Sequence, residues 1–290
     1  MTEASLSLSQ TAPFAERPRI SLWTRLARLP RQNPIGMIGF VVILIVSLIA
    51  IFAPVIAPYT PTSQAAKRLL EPSAQYWLGT DELGRDVFSR IVFGSRISLQ
   101  VGIIAVSLAL ALGGTMGILS GYIGGPFDWI VMRAVDIMFA FPGLVLAIVI
   151  AGLLGPSIQN AMLAIGIIYA PVFARVTRGV VLSVRNEVYL EAARVVGGRD
   201  LHIIRHYILP NIMASVIVLT TLQMSTAILT EAALSFLGLG TQPPDPSWGT
   251  MLSNGRKFME FAPWVAVFPG LAIVIAVLGF NFLGDGLRDA

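Results

Sequence analysis

The residues that could do chemistry in this sequence are few and scattered. There are no cysteines among the 290 residues, which removes disulfides, thiolate metal sites and cysteine nucleophiles together. The two histidines, His202 and His206, stand four apart, a spacing that suits a metal on one helical face. A zinc-protease pattern would need Glu directly after the first of them, and the chain has Ile203. No third ligand is in view, so no metal site is expected. The two lysines, Lys67 and Lys257, are followed by Arg68 and Phe258. A Walker A loop needs Ser or Thr after its Lys, so neither can complete one. No serine–lysine or paired-aspartate constellation for intramembrane catalysis is present either. No catalytic residue is expected, and any ATP-driven work must be powered by another polypeptide.

What remains is a small set of charges in apolar surroundings. Arg133 and Asp136 lie three apart and are expected to pair, within their helix or across to another. Glu231 sits alone in a later apolar segment, where it either lines a pathway or binds a neighbouring polar group. These three are the pathway or gating candidates. Gln223, Asn160 and Asn281 read as hydrogen-bond groups between helices, and Gly113, Gly114, Gly117 and Gly121 as sites of close helix packing.

The elements that must position these groups follow from composition. Hydrophobic residues make up 55% of the chain and charged ones 12%, about half the charge of a soluble domain, which is near a quarter. Mean hydropathy is +0.77. A soluble globular enzyme and a disordered chain are both excluded. The excess of Lys and Arg is small, so a membrane protein with basic ends accounts for it better than nucleic-acid binding. Six segments are long and apolar enough to span a bilayer. They are 36–57, 98–121, 129–153, 161–182, 211–235 and 263–284. Gly155-Pro156-Ser157 separates the third from the fourth. The basic stretch before the first segment is long and the segment is of full spanning length, so an uncleaved helix is expected there rather than a removed signal. Placing the N-terminus inside puts thirteen of the Lys and Arg residues inside and seven outside. Both termini are therefore expected in the cytoplasm.

Two connecting segments stand out. In the external segment 59–96, Val87, Phe88, Ile91 and Val92 recur at helical spacing, with Arg85, Ser89, Arg90 and Arg96 mostly on the other side. The pattern predicts a short amphipathic helix lying on the membrane surface, where it anchors or shapes an external mouth. Between spans four and five the chain runs Tyr189-Leu190-Glu191-Ala192-Ala193, then Gly197-Gly198, and reaches Leu209-Pro210-Asn211. Two short helices with a sharp Gly-Gly turn are predicted. Pro210 fits the first turn of span five. Ala192 and Ala193 allow close approach by a partner, while Leu190, Leu201 and Ile204 offer apolar contact.

This loop resembles the cytoplasmic Glu-Ala-Ala loop of permease subunits in type I ABC importers. Glu191, Ala192, Ala193, Gly197, Leu209 and Pro210 match at the family spacing; many relatives carry His where this chain has Tyr207. Other segments are similar to the C-type permease of dipeptide, oligopeptide and nickel importers: Leu78-Gly79-Thr80-Asp81 with Gly84-Arg85-Asp86, Met132-Arg133 with Asp136, Phe141-Pro142, Leu234 to Gly240, and Pro246-Ser247-Trp248-Gly249.

The resemblance implies an all-α membrane protein with six transmembrane helices and the type I ABC importer permease fold. It implies a cytoplasmic tail over 1–34, a first helix over 35–58, an external loop over 59–96 and a core domain over 97–290 with its coupling loop at 184–209. The chain would form half of a pathway for short peptides, nickel chelates and glutathione being the other cargoes of such relatives. Its partners would be a second permease, two ATP-binding subunits that hold the ATP and Mg, and an external solute-binding protein, all at a bacterial-type inner membrane. Glu191, Ala192, Ala193, Gly197, Leu201, Leu209 and Pro210 would carry the coupling. An ion-coupled transporter working alone would instead use Glu231 and Asp136 as ion sites, but no internal repeat supports one.

Overall fold

The computed structural model describes residues 33–64 and 66–289. Residues 1–32 of the expected tail, with Arg17, Arg19, Arg25, Arg28 and Arg31, lie outside the described residues. Helix α1 (Pro34–Ile51) begins at Asn33, whose side chain accepts the Gly36 N–H at 3.1 Å, with Pro34 in the first turn. It breaks at Phe52 and resumes as α2 (Ala53–Ile56). Pro54 cannot donate to the carbonyl of Ala50, four residues back. Arg96 takes that place, with Nε 2.5 Å from the Ala50 carbonyl and Nη2 2.8 Å from that of Ile51.

Helix α3 (Val87–Ile123) is 37 residues long, about 55 Å at 1.5 Å per residue. The expected surface helix is therefore fused to the second span rather than lying flat beneath it. Its charges face inward: Arg90 and the preceding Asp81, Arg85 and Asp86 are all buried. Arg85 pairs with Asp81 at 2.6 Å and with Glu82 at 3.2 Å, and Arg90 approaches Asp81 at 3.5 Å. Burial at this price in desolvation requires such mutual pairing, and a period-3.6 pattern does not say whether the polar side faces water or other charges.

The third span is not continuous. It consists of α4 (Gly125–Phe139) and α5 (Gly143–Leu154), bent by 91° at Ala140–Pro142. Proline at 142 disfavours helical backbone at Phe141. The broken pair nevertheless crosses the bundle. Helices α3 and α6 (Ile158–Arg185) run parallel, because Gly113 lies against Ala170, Gly117 against Ala174 and Gly121 against Val181. A chain leaving α3 at one end must traverse the bundle to enter α6 at the other. A Cβ on Gly113 would overlap the Ala170 carbonyl, so this glycine stripe sets the helix separation as expected.

After α6 come α7 (Val188–Val195), α8 (Asp200–Phe236), α9 (Trp248–Gly255) and α10 (Trp264–Arg288). No helix boundary falls at Pro210. Helix α8 runs through it, with a π-turn over Ile204–Ile208 that accommodates the missing N–H and the ring. Helices α1 and α10 meet at Gly36 and Gly286, and Asn33 donates to the Gly286 carbonyl at 3.1 Å. Asn281 on α10 accepts from Ser225 on α8 at 2.6 Å, and Asn160 on α6 donates to Leu154 and Gly155. Both bridge helices as expected, whereas Gln223 bonds Thr226 within its own helix. The main core lies among α1, α3, α5, α6, α8, α9 and α10. A smaller one sits at the α7 end.

Candidate functional site

The smaller core is built around the segment between spans four and five. Leu190 on α7 is fully buried with Ile203, Ile208 and Ile212 of α8, Val181 of α6 and Tyr122 of α3. Each such side chain contributes about 1.5–3 kcal/mol on burial. Leu190 is thus an inward anchor, not the outward contact the sequence suggested. It turns the opposite face of α7 outward: Glu191 and Ala192 are exposed and Ala193 half-buried, and Val195 and Val196 are each 88% exposed. Leu201 is exposed beyond the turn, as are Leu209 and Pro210.

The Gly-Gly turn closes α7 by a Schellman pattern. The Gly197 N–H reaches the Arg194 carbonyl at 2.9 Å and the Gly198 N–H reaches that of Ala193 at 2.9 Å. Gly197 holds φ at +88°, a left-handed conformation that costs other residues roughly 1–2 kcal/mol. A Cβ there would touch nothing, so the demand for glycine is conformational, not steric.

Further contacts lock the segment to the spans. Tyr122 donates to Asp200 at 2.6 Å, and the Arg194 guanidinium lies 5.6 Å from the Tyr122 ring centre. Arg185 donates to the Gly121 carbonyl at 3.2 Å. Tyr189 stacks on Tyr207 with ring centres 6.3 Å apart, and His202 on His206 at 4.2 Å. Tyr122, Arg194 and Asp200 were not singled out from the sequence. Their only signal is an aromatic at a span end and charges near helix ends, common features without the fold.

Of the expected pairings, the one across to another helix is found for Asp136 and none for Arg133. Asp136 does not pair with Arg133. It pairs with Arg175 of α6 at 2.6 Å, both side chains about half exposed, and Arg175 lies 4.0 Å over the Phe139 ring. Arg133 has no ion-pair partner among the described residues. It lines an open pocket of about 250 Å³ with Asp128, Asp136 and Arg178. Arg178 holds Asp128 in a two-pronged pair at 2.5 Å, with Ser120 bonded to the same carboxylate. Glu231 is fully buried at the other end of the bundle. One of its oxygens accepts from Ser235 at 2.6 Å, one turn on in the same helix, while the other, Oε2, is buried without a hydrogen-bond partner.

This combination is a multi-span helical bundle, with a rigidly anchored helix turned outward on one connecting loop and no catalytic constellation among the described residues. Such an arrangement suits a membrane subunit whose spans are moved through its loop. Comparison with known proteins agrees. Residues 113–290 match the family described as binding-protein-dependent transport system inner membrane component. Residues 21–72 match the N-terminal TM domain of oligopeptide transport permease C. The chain is similar to the dipeptide transport system permease protein DppC of Alkalihalophilus pseudofirmus, with 49% identity over 96% of this chain and 92% of that protein. It is 47% identical to DppC of Haemophilus influenzae, over 90% of each chain. It is 44% identical to the glutathione transport system permease protein GsiD of Escherichia coli, over 92% of this chain and 89% of that one. Its fold is similar to that of a chain of the methionine ABC transporter MetNI in an inward-facing conformation. There the TM-score is 0.58 and identity 20%, over 69% of this chain and 95% of that one. The chain belongs to the binding-protein-dependent inner-membrane transport components: it is a multi-pass permease subunit of an ABC importer, and not an enzyme.

Proposed function

We propose that the chain forms half of a pathway for short peptides across a bacterial inner membrane, with a second permease as the other half. The end holding α7 faces the cytoplasm, as do both termini. There two ATP-binding subunits, which hold the ATP and Mg, grip Glu191, Ala192 and Ala193 and the exposed Leu201, while Gly197 fixes the angle of the helix they hold. Leu209 and Pro210 carry the motion into the fifth span. An extracytoplasmic binding protein delivers cargo at the opposite end. The observation that carries this reading is the two-sidedness of α7: one residue, Leu190, is sealed into a core shared with three spans, while Glu191 and Ala192 are exposed and Ala193 half-buried beside them. Force applied to that face moves the spans because the anchor is rigid. Peptide cargo rests on the dipeptide and glutathione permeases among the relatives.

Reconstitution of the subunit with its partners in liposomes tests it. ATP-dependent uptake of a labelled dipeptide is expected, with none from this chain alone. Glu191→Ala is expected to lower uptake while membrane insertion is kept. Uptake by the single chain without ATP would overturn the reading. Competition by unlabelled glutathione or a nickel chelate distinguishes the cargo.

A further inference from the structure

The third span has a feature that the coupling role leaves unused. All six residues from Ala140 to Val145 are exposed, Phe141 at 56%. They include the elbow and the first turn of α5. The first N–H groups of a helix have no partner within it, and Pro142, at the cap position, supplies no side-chain bond. Helix α5 has 12 residues, so the elbow lies at most about 18 Å from the turn at Gly155. A hydrocarbon layer of about 30 Å places it inside the bilayer. Irregular backbone is not stable against lipid there, because nothing in hydrocarbon can replace its hydrogen bonds.

The neighbouring face repeats the argument with charge. Arg175 and Asp136, with Phe139 beneath the guanidinium, are 52% and 56% exposed on the same side of the chain. Arg175 is 17 residues from the start of α6 near the Gly155 turn, about 26 Å along it, still within a hydrocarbon layer of about 30 Å measured from that end. Ionisable groups at that depth face a protein interior or water, not acyl chains. By contrast α1, exposed along much of its length, carries no charged side chain at all.

We infer that the Ala140–Pro142 elbow, with the Arg175–Asp136 pair beside it, is the wall that this subunit presents to a water-filled pathway closed on its far side by a second permease. The inference rests on the two-permease reading above and names the face involved. Water satisfies the freed backbone groups and solvates the ion pair. The bend turns Phe141 away from the axis of α5, toward the space between the subunits.

The absence of cysteine makes a direct test available. Phe141→Cys and Leu144→Cys at the elbow, and Leu44→Cys on α1 as a dry reference, are made singly in the assembled transporter in proteoliposomes. Each is treated with a charged, membrane-impermeant methanethiosulfonate, with and without ATP. Only a hydrated thiol ionises and reacts readily, so both elbow positions are expected to react at least about tenfold faster than position 44 in one nucleotide state. Modification at 141 is expected to block uptake. Reaction as slow as at position 44 in both states, at both elbow positions, would overturn the inference. So would quenching by brominated lipid of a bimane label at position 141 as strong as at position 44. Uptake by the unmodified transporter is measured first. If it lacks ATP dependence the importer reading fails, while the labelling still reports whether the elbow meets water or lipid.

Discussion

The two ends of the bundle contain the same kinds of charged residue and use them oppositely. Around Thr80 to Arg90 the carboxylates and guanidinium groups are buried together, and Asp86 caps α3 by accepting the Ser89 N–H at 2.8 Å. Trp264 closes over this knot, donating to the Thr80 carbonyl at 3.3 Å, and Trp248 of α9 donates to Ile91 at 3.0 Å. Toward the α7 end the ionic contacts are less buried, Arg178 and Asp128 at 30% and 18% side-chain exposure and Arg175 and Asp136 at about half. A buried pair cannot trade its partner for water without a large desolvation penalty, so the first end is held in one arrangement. An exposed pair trades at little cost. The end proposed to be gripped by ATP-binding subunits is therefore the one whose charges rearrange at lower cost. The other is a fixed frame.

The sharpest way to break this contrast is at Asp81. Asp81→Ala leaves Arg90 buried without a carboxylate and Arg85 with Glu82 alone, and is expected to destabilise the subunit by about 3–5 kcal/mol. The measurement is the thermal midpoint and yield of monodisperse protein in detergent. A loss no larger than that of a surface pair would erase the difference between the ends.

Gly197→Val should come next in effect, with its cost confined to the loop. Forcing a β-branched residue to φ near +88° costs at least about 1–2 kcal/mol. The subunit is expected to reach the membrane in normal amount while uptake falls severalfold. Equal loss of membrane level and uptake would place the effect in folding instead.

Tyr122→Phe sharpens the comparison further, since it removes one hydrogen bond from the α7 end, about 0.5–1.5 kcal/mol. Uptake per ATP hydrolysed is expected to fall, with Asp200→Asn, which keeps an acceptor, close to the parent. An unchanged ratio in Tyr122→Phe would show that the loop drives the spans through other contacts. The smallest effect belongs to Asp136→Asn. Its exposed pair contributes about 0–1 kcal/mol, so the thermal midpoint should hardly move.

Much of the fold was legible because spanning helices obey a one-dimensional rule: length and apolarity suffice. The Gly-Gly turn was legible for a similar reason, since a left-handed residue is a local property. The 91° elbow was foreshadowed only by Phe141-Pro142, and an apolar run on both sides concealed it. The partner of Asp136 was missed because Arg133 is its neighbour in sequence, while Arg175 is reached only when α4 folds against α6. Leu190 and Leu201 look alike as letters; one is at 0% exposure and the other at 77%.

By itself the sequence determined that this chain lives in a membrane, roughly where it crosses, that it hydrolyses no nucleotide through a Walker A loop, and which loop carries the coupling pattern. Those properties depend on residues close together along the chain. Which charges meet, which leucine is the anchor, and that the third span bends were decided only by the tertiary structure. These depend on distances between helices, and such distances are set by close packing at glycine contacts such as Gly113 on Ala170, where a single added methyl would move the neighbours apart.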